Sequence, residues 1–345
     1  MKLFFKIVLR IIIISAIITF MIFLIRIYND KKYKKTMEMT TPEYYNDVTN
    51  LSLYPSSVEG VDLTYVNEGR VQGFRFSPKK RLFKGVVICY GGSEGSPSFE
   101  EAERLAKEGY ETFALFMFGM ENQQKTLTKI PLEQFEEVIS YIKQNVTDNL
   151  PITVMGASKG AEYALNLASK YEEIDNVILK APSSYNFSGL DFKDYGSSWT
   201  YEGKELPYID LKKSSFATFA KTVIIPSIIN SPISYKGTYD SAINKDILNY
   251  EKLIPVKDIN ANILIIAGGK DAMWNSSEMA NIIKKQNENV EVHIFKEAGH
   301  IFVGNGIIES DGLKIRVGGS LEDNKRAEEE SINIINDFLM KNHKN

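Results

Sequence analysis

The chain of 345 residues carries 41 Lys and Arg against 44 Asp and Glu, a net charge of −3, and 43% of its residues are hydrophobic. This composition is typical of a globular protein and excludes wholesale disorder. Without a basic excess, nucleic acid is not an expected partner. A single cysteine, Cys89, excludes an internal disulfide framework and a cysteine-based zinc cluster. With only three histidines, we expect no metal and no cofactor.

Residues 1–30 are predicted to form a transmembrane anchor. Arg10 and Arg26 bracket the uncharged run Ile11–Ile25, and their long side chains can reach the headgroups, which gives an effective span of about 20 residues. A cleavable signal peptide and a buried core helix are the alternatives, but no small-residue cleavage site follows the run. Basic residues lie on both sides, so the sequence predicts a single-pass protein of the cell membrane with only a weak preference for a cytoplasmic body.

The rest of the chain is predicted to be a polar tether, residues 31–58, followed by one folded domain, residues 59–345. A hairpin over Val61–Val66 and Val71–Phe76 precedes the first buried strand, Gly85–Tyr90. The alternating elements that follow are helix Phe99–Glu108, strand Glu111–Met117, helix Pro131–Asn145, strand Ile152–Met155, helix Gly160–Tyr171, strands Val177–Leu179 and Ile263–Ala267, helix Glu278–Gln286, strand Val290–Phe295 and helix Leu321–Met340. This alternation predicts an α/β fold, a mostly parallel sheet with helices on both faces.

One segment, at about 186–250, interrupts the alternation. It is rich in Tyr, Phe, Ser and Pro and lacks clear periodicity. A long irregular run inside a compact domain is usually functional. We therefore expect an inserted cap over the carboxyl edge of the sheet, where ligands bind in open α/β folds.

The strongest chemical signal is Gly156-Ala157-Ser158-Lys159-Gly160, which follows a predicted strand and opens a predicted helix. A sharp strand-to-helix turn of this kind raises a serine hydroxyl above the sheet, and glycines on either side allow strand and helix to pack closely. Ser158 is therefore the candidate nucleophile, with an ordinary glycine–serine turn as the alternative.

A serine nucleophile needs a base and an acid to orient it. His300 follows a strand in a loop, whereas His293 lies within a strand and His343 lies in a charged tail that we expect to be solvated. Asp271 follows the strand before His300, while Asp258 precedes that strand and should lie at the opposite edge. We therefore predict that His300 is the base and Asp271 the acid.

Two backbone groups are expected to stabilise an oxyanion. The N–H of Lys159 lies at a helix N-terminus, which favours negative charge. The loop Gly91–Ser96 should supply the second donor, from Gly92 or Ser93. Glu94 in the same loop would repel a phosphate and brings a negative charge near the expected oxyanion.

Several motifs together resemble the C-terminal catalytic domain of the acyl-CoA thioester hydrolase / bile acid-CoA:amino acid N-acyltransferase family. They are Leu105-Ala106-Lys107-Glu108-Gly109-Tyr110, Ile130-Pro131-Leu132-Glu133, Gly156-Ala157-Ser158-Lys159-Gly160-Ala161-Glu162, Gly268-Gly269-Lys270-Asp271-Ala272-Met273-Trp274-Asn275-Ser276 and Ala298-Gly299-His300. The resemblance implies an α/β-hydrolase fold, a triad of Ser158, Asp271 and His300, and acyl transfer from a thioester to water or to an amine.

The expected function is that of a membrane-anchored serine hydrolase acting on a small-molecule acyl ester or thioester. An N-acyltransferase, a carboxylesterase or lipase, and a catalytically silent membrane-tethered binding module are the alternatives. The complete order of serine, acid and histidine argues against the silent module.

Overall fold

The computed structural model describes residues 2–34, 42–310 and 312–344. The strands are β1 Val61–Glu68, β2 Val71–Pro78, β3 Val86–Tyr90, β4 Glu111–Leu115, β5 Ile130–Pro131, β6 Ile152–Ala157, β7 Asn176–Lys180, β8 Trp199–Tyr201, β9 Lys204–Glu205, β10 Asn262–Gly268, β11 Glu291–Phe295, β12 Ile307–Ser310 and β13 Leu313–Arg316. The helices are α1 Lys2–Lys34, α2 Phe99–Lys107, α3 Gln134–Asn145, α4 Lys159–Ala168, α5 Phe216–Phe219, α6 Ile225–Ile228, α7 Lys236–Lys245, α8 Ser276–Gln286 and α9 Leu321–Asn342.

Eight strands form one sheet in the order β1-β2-β4-β3-β6-β7-β10-β11. The β1–β2 and β2–β4 pairs are antiparallel, and every later pair in the sheet is parallel. Parallel neighbours must be joined by crossovers, which here run through helices. The structure thus confirms the predicted mostly parallel α/β sheet.

Each face of the sheet is covered by its own apolar layer. Along β3, Ile88 belongs to one layer and its neighbour Cys89 to the other, because successive strand residues point to opposite faces. Phe135 of α3 and Leu165 of α4 fill the first layer, and Leu105 of α2 lies in the second. Helices therefore lie on both faces, as predicted, and the carboxyl ends of the parallel strands are left for the site.

Helix α3 begins later than predicted. Pro131 was expected to open it, but Ile130–Pro131 is a short strand whose Ile130 pairs with Trp199, and the helix begins at Gln134. The N–H groups of Ile130 and Leu132 donate to carbonyls of the inserted segment, at 2.8 and 2.9 Å. This long-range pairing holds the chain extended where proline would otherwise suit a first helical turn.

Part of the predicted tether packs on the folded body, whereas the anchor over residues 1–30 stays a prediction. Helix α1 is long and apolar enough to cross a membrane over Leu3–Tyr33, and its most apolar 18 residues have no buried share, which excludes the core-helix alternative. A signal sequence near the N-terminus would meet the same test. Residues 35–41 of the expected tether lie outside the described residues. Residues 42–58 pack on the body, since Tyr44 and Tyr54 are buried and stack at 4.4 Å between ring centroids. Burial of these aromatic rings outweighs the polar character of the segment.

His343 is not solvated, contrary to expectation. It is fully buried, with its Nε2 2.6 Å from Thr153 Oγ1 and its Nδ1 2.8 Å from the Lys84 carbonyl oxygen. Helix α9 continues to Asn342 and returns the tail to the sheet. Burial lowers the pKa of His343 from its ordinary value of 6.5, because the charged imidazolium loses hydration there.

Replacing His343 should therefore change how stability depends on pH. A lowered pKa in the folded state means that protonation favours the unfolded state, so stability present above about pH 6.5 is lost as the pH falls. We expect His343→Gln to lose less stability than the wild type on acidification, because it carries no imidazole that is protonated on unfolding. Thermal unfolding of the detergent-solubilised wild type and variant, followed as the pH is lowered from above 6.5, measures this dependence of stability on pH.

The matched control is His293→Gln, which leaves His343 in place and should keep the wild-type loss on acidification. His293 is on β11, with a side chain 35% exposed. Equal acid sensitivity of wild type and His343→Gln would contradict the account.

Candidate active site

Ser158 occupies the turn between β6 and α4. Its φ and ψ are 56° and −118°, a region that non-glycine residues rarely adopt and that costs energy. The Ser158 N–H donates to the Lys180 carbonyl oxygen at 2.9 Å, and its own carbonyl accepts from Ala161 and Glu162 at the start of α4. The strained conformation is thus held by backbone hydrogen bonds on both sides.

The glycines around Ser158 are required by backbone contacts. A Cβ on Gly156 would lie 2.1 Å from the Gly160 carbonyl oxygen, and a Cβ on Gly160 would lie 2.1 Å from that of Gly91. Any side chain at either position would force strand, helix and loop apart. The spacing of Gly156 and Gly160 around Ser158 therefore reflects a steric requirement of this turn.

A second set of close contacts brings the loops after β10 and β11 together. A Cβ on Gly268 would lie 1.9 Å from the Gly299 carbonyl oxygen, and a Cβ on Gly299 would lie 2.0 Å from that of Gly318. The His300 N–H donates to the Val317 carbonyl oxygen at 2.8 Å. These contacts fix the backbone on which His300 is carried.

The structure brings Ser158, His300 and Asp271 together. His300 Nε2 is 2.8 Å from Ser158 Oγ, and His300 Nδ1 is 2.7 Å from Asp271 Oδ2. An ionised carboxylate can only accept hydrogen bonds, so this arrangement favours the tautomer with the proton on Nδ1. Nε2 is then free to accept the serine proton.

Asp271 and His300 are held by further contacts. Asp271 Oδ1 accepts from the N–H groups of Met273 and Trp274 at 2.8 and 3.2 Å, and the indole ring of Trp274 meets the imidazole ring edge-on with centroids 5.2 Å apart. Both residues of the pair are buried, at 4% and 3% exposure. Low dielectric strengthens a hydrogen bond, so these contacts restrict the imidazole to one orientation.

The two expected oxyanion donors differ in their surroundings. The N–H of Lys159, the first residue of α4, is among the groups that a helix leaves without an internal partner. The N–H of Gly92 instead donates to Glu94 Oε1 at 3.0 Å, and Ser96 Oγ donates to the same oxygen at 2.6 Å. Ser93, the other expected donor of the loop, is half-buried in the same turn.

The Glu94 carboxylate is close to Ser158. Glu94 Oε2 and Ser158 Cβ would be 2.6 and 3.5 Å, respectively, from a Cβ added to Gly92. Glu94 is exposed at the rim of the loop. The Glu94 carboxylate therefore engages the Gly92 N–H, a donor that the sequence assigns to the oxyanion.

A buried ion pair lies at the start of α4, directly after Ser158. Lys159 and Glu162 have side chains only 1% and 0% exposed, and Lys159 Nζ donates to Glu162 Oε2 at 2.8 Å. Burial lowers the pKa of Lys159, and the adjacent carboxylate opposes this shift. The sequence interpretation missed this pair, although a lysine and a glutamate three residues apart at the start of an apolar helix are a recognisable signal.

The same pair joins α4 to the inserted segment. Glu162 Oε1 accepts from the Phe187 N–H at 3.0 Å and from Trp199 Nε1 at 2.8 Å, while Lys159 Nζ also donates to Ser198 Oγ at 2.8 Å. All hydrogen-bonding atoms of this small network are thus paired within the protein. It positions the insertion beside the first turn of α4.

Other candidate residues are remote from this chemistry. His293 Nε2 contacts Glu291 Oε1 at 2.7 Å on β11, and Asp258 is exposed before β10 begins. Within the described ranges, no group of three or more His, Cys, Asp or Glu residues could hold a metal ion.

Similar solved structures agree on the fold. An acylaminoacyl peptidase from Pyrococcus horikoshii matches with a TM-score of 0.50 at 12% identity, covering 83% of this chain and 42% of that one. At this identity the likeness concerns the fold alone, which is that of an α/β-hydrolase.

Sequence comparison identifies more specific relatives. The chain is 26% identical over 249 residues to acyl-coenzyme A thioesterase 1 of Homo sapiens. It is 24% identical over 249 residues to bile acid-CoA:amino acid N-acyltransferase of Mus musculus. Each match covers 70% of this chain and 54% of the relative. The chain therefore spans about half the length of these curated relatives. The model of the BAAT / acyl-CoA thioester hydrolase C-terminal family matches residues 130–304, half of the chain, with the turn at Ser158, Asp271 and His300 inside the match. The chain belongs to the BAAT / acyl-CoA thioester hydrolase C-terminal family.

Proposed function

We propose that this protein is a membrane-anchored serine hydrolase that cleaves acyl esters or thioesters through an acyl-enzyme. The observation that carries the proposal is the continuous hydrogen-bonded series Ser158 Oγ, His300 Nε2 and Nδ1, and Asp271 Oδ2. A hydroxyl bonded to an imidazole that is itself bonded to a buried carboxylate is the arrangement required for nucleophilic acyl transfer.

In the first half of the reaction, Ser158 Oγ attacks the acyl carbonyl carbon while His300 Nε2 accepts the hydroxyl proton. Asp271 stabilises the resulting imidazolium without being protonated itself. The tetrahedral oxyanion is stabilised by the N–H of Lys159 at the positive end of α4. When the intermediate collapses, the bond to the leaving group breaks, and His300 returns the proton to the departing thiolate or alkoxide.

In the second half, water attacks the acyl-serine and gives its proton to His300. Collapse of this second tetrahedral intermediate releases the carboxylic acid and returns the proton to Ser158. An amine in place of water would give an amide. The mouse N-acyltransferase among the relatives supports this as the second candidate function, since its name describes that acceptor.

The thioester is the favoured substrate class. Thioesterases that act on acyl-coenzyme A recur among the relatives, whereas a carboxylesterase or lipase activity rests on the shared fold. A catalytically silent binding module remains the competing account because Glu94 engages the Gly92 N–H.

The proposed organisation places α1 in the membrane as an uncleaved anchor, with residues 59–345 as one catalytic domain that includes the insertion at about 186–250. The apolar length of Leu3–Tyr33 supports the anchor. We also propose that the insertion acts as a cap. Its contacts with Lys159 and Glu162 beside the nucleophile support that role.

Replacing the nucleophile should abolish activity without unfolding the protein. We expect Ser158→Ala to lower kcat/KM by about 10³-fold or more, because the remaining groups cannot form the acyl-enzyme. Hydrolysis of acyl-CoA thioesters and p-nitrophenyl esters of several chain lengths measures the loss and identifies the preferred leaving group. Assays with and without added amino acids separate hydrolysis from amide formation.

A fluorophosphonate probe provides the control, since it reacts with activated serines whatever the substrate. The folded wild type should be labelled and Ser158→Ala should not. No labelling of a folded wild type would overturn the hydrolase proposal in favour of a silent module. Equal labelling of both proteins would contradict the assignment of Ser158 as the nucleophile.

Removing the Glu94 carboxylate should leave activity equal or higher. In Glu94→Gly the Gly92 N–H loses its carboxylate acceptor and becomes free to stabilise an oxyanion, and the nearby negative charge is gone. Glu94→Gln, which keeps the size of the side chain, separates charge from shape. A large drop in kcat/KM for both variants would mean that Glu94 contributes to catalysis or substrate binding.

A further inference from the structure

The inserted segment contains an apolar helix that the body covers only in part. The stretch Phe216–Ile228, here called the apolar helix, is built from α5, a π-helical turn at Ala220–Ile224, and α6. No residue of this fully described stretch is buried. Phe216, Ile225 and Ile228 are 76%, 53% and 46% exposed. Large apolar side chains exposed on one helix mark an interaction surface.

The end of the apolar helix is attached to the end of α1. Arg26 Nη1 donates to the Ile228 carbonyl oxygen at 2.9 Å, and Asn29 Nδ2 donates to the Ile229 carbonyl oxygen at 2.7 Å. Asp30 accepts from the Asn230 side chain. Three successive residues of the insertion are therefore bound to the last turns of the candidate membrane span.

These contacts set the depth of the apolar helix relative to a bilayer. The uncharged run of α1 ends before Arg26, whose guanidinium would lie at the headgroup level while its stem remains in the apolar region. Because that guanidinium contacts Ile228, α6 lies at the same level. The exposed Lys221 can extend from the helix towards the headgroups, as basic residues of interfacial helices do.

The same junction is connected to the candidate active site. Lys314 Nζ contacts Asp30 Oδ1 at 2.8 Å, and the Arg316 N–H donates to the Ile233 carbonyl oxygen at 2.8 Å. Beside them, Ser234 Oγ donates to the Ala272 carbonyl oxygen at 2.8 Å, next to Asp271. The contacts of α1 and the apolar helix thus reach the loops that carry the acid and the base.

We propose that the apolar helix lies in the surface of the bilayer that α1 crosses, and that it holds the catalytic site at the membrane to receive acyl substrates dissolved in the lipid. The occupant of the exposed face is lipid, because the face adjoins α1 through Arg26 and Asn29, and the most apolar 18 residues of α1 have a mean hydropathy of 2.8 and no buried share. This inference rests on the proposed anchor and hydrolase function.

The direct test uses the full chain in nanodiscs of equal parts phosphatidylcholine and phosphatidylglycerol. A single environment-sensitive fluorophore is attached to Ile225→Cys or, as the matched control, to Leu150→Cys. The two positions are 53% and 57% exposed, and Leu150 precedes β6 at the opposite edge of the sheet. Native Cys89 is fully buried and burial raises the pKa of its thiol, so it should not react.

Replacing the lipid with its acyl-chain-brominated form should quench the label at position 225 by about half, since an interfacial helix inserts roughly 5–10 Å at the acyl boundary. The label at position 150 should be unaffected. Equal emission of the 225 label in both lipids overturns the proposal. Emission that responds only to the number of protein copies per nanodisc also overturns it, because a second copy would then cover the face.

An activity assay tests the consequence for substrate. We expect Ile225→Asp to hydrolyse a long-chain acyl thioester supplied in vesicles about tenfold more slowly, because it loses apolar contact with the lipid. A soluble short-chain ester should be hydrolysed at the wild-type rate, and Leu150→Asp should match wild type on both. Equal rates of Ile225→Asp and wild type on the vesicle substrate contradict the proposal.

The two proposals fail in distinguishable ways. Quenching of the 225 label needs no catalysis and should persist in Ser158→Ala. If wild type hydrolyses neither substrate while quenching persists, the hydrolase proposal fails and the membrane contact stands. If the soluble ester is hydrolysed but the label is not quenched, the membrane contact fails alone.

Discussion

Direct contact between backbone segments at the carboxyl edge of the sheet is the constraint on which the candidate site depends. At Gly156 and Gly160 a strand, a helix and a loop approach too closely for any side chain, and the same holds at Gly268 and Gly299. Because protein interiors are close-packed, such contacts leave the segments little freedom to move. The loops that carry the hydroxyl, the imidazole and the carboxylate are therefore held in register by the backbone.

The inserted segment depends on a second constraint, the charge of Lys159 and Glu162 buried at the start of α4. Removing one partner of such a pair usually costs about 3–5 kcal/mol, since the other charge is left without compensation. Here the partners also bind the backbone and side chains of the insertion. The first turn of α4, which follows Ser158, thus also attaches the inserted segment, and Asp30 connects the same segment to α1.

The features that could be predicted from the sequence are those set by local chemistry. The turn at Ser158 could be predicted because close packing requires its glycines. His300 and Asp271 could be predicted from their positions after strands. The structure brings the three side chains within hydrogen-bonding distance of one another in series, and their catalytic roles remain predictions. Long-range contacts could not be predicted: Pro131 is extended because it pairs with the insertion, and His343 is buried because α9 returns to the sheet.

The central claim is that Ser158 Oγ forms a covalent bond to the acyl group. Rapid acid quenching of the full-length protein during turnover of an acyl thioester, followed by peptide mass spectrometry, measures it directly. The account predicts the mass of the acyl group on the peptide that contains Ser158, appearing before the product acid and absent in Ser158→Ala. Product formation with no acyl mass on Ser158, or with the acyl group on another residue, would contradict it.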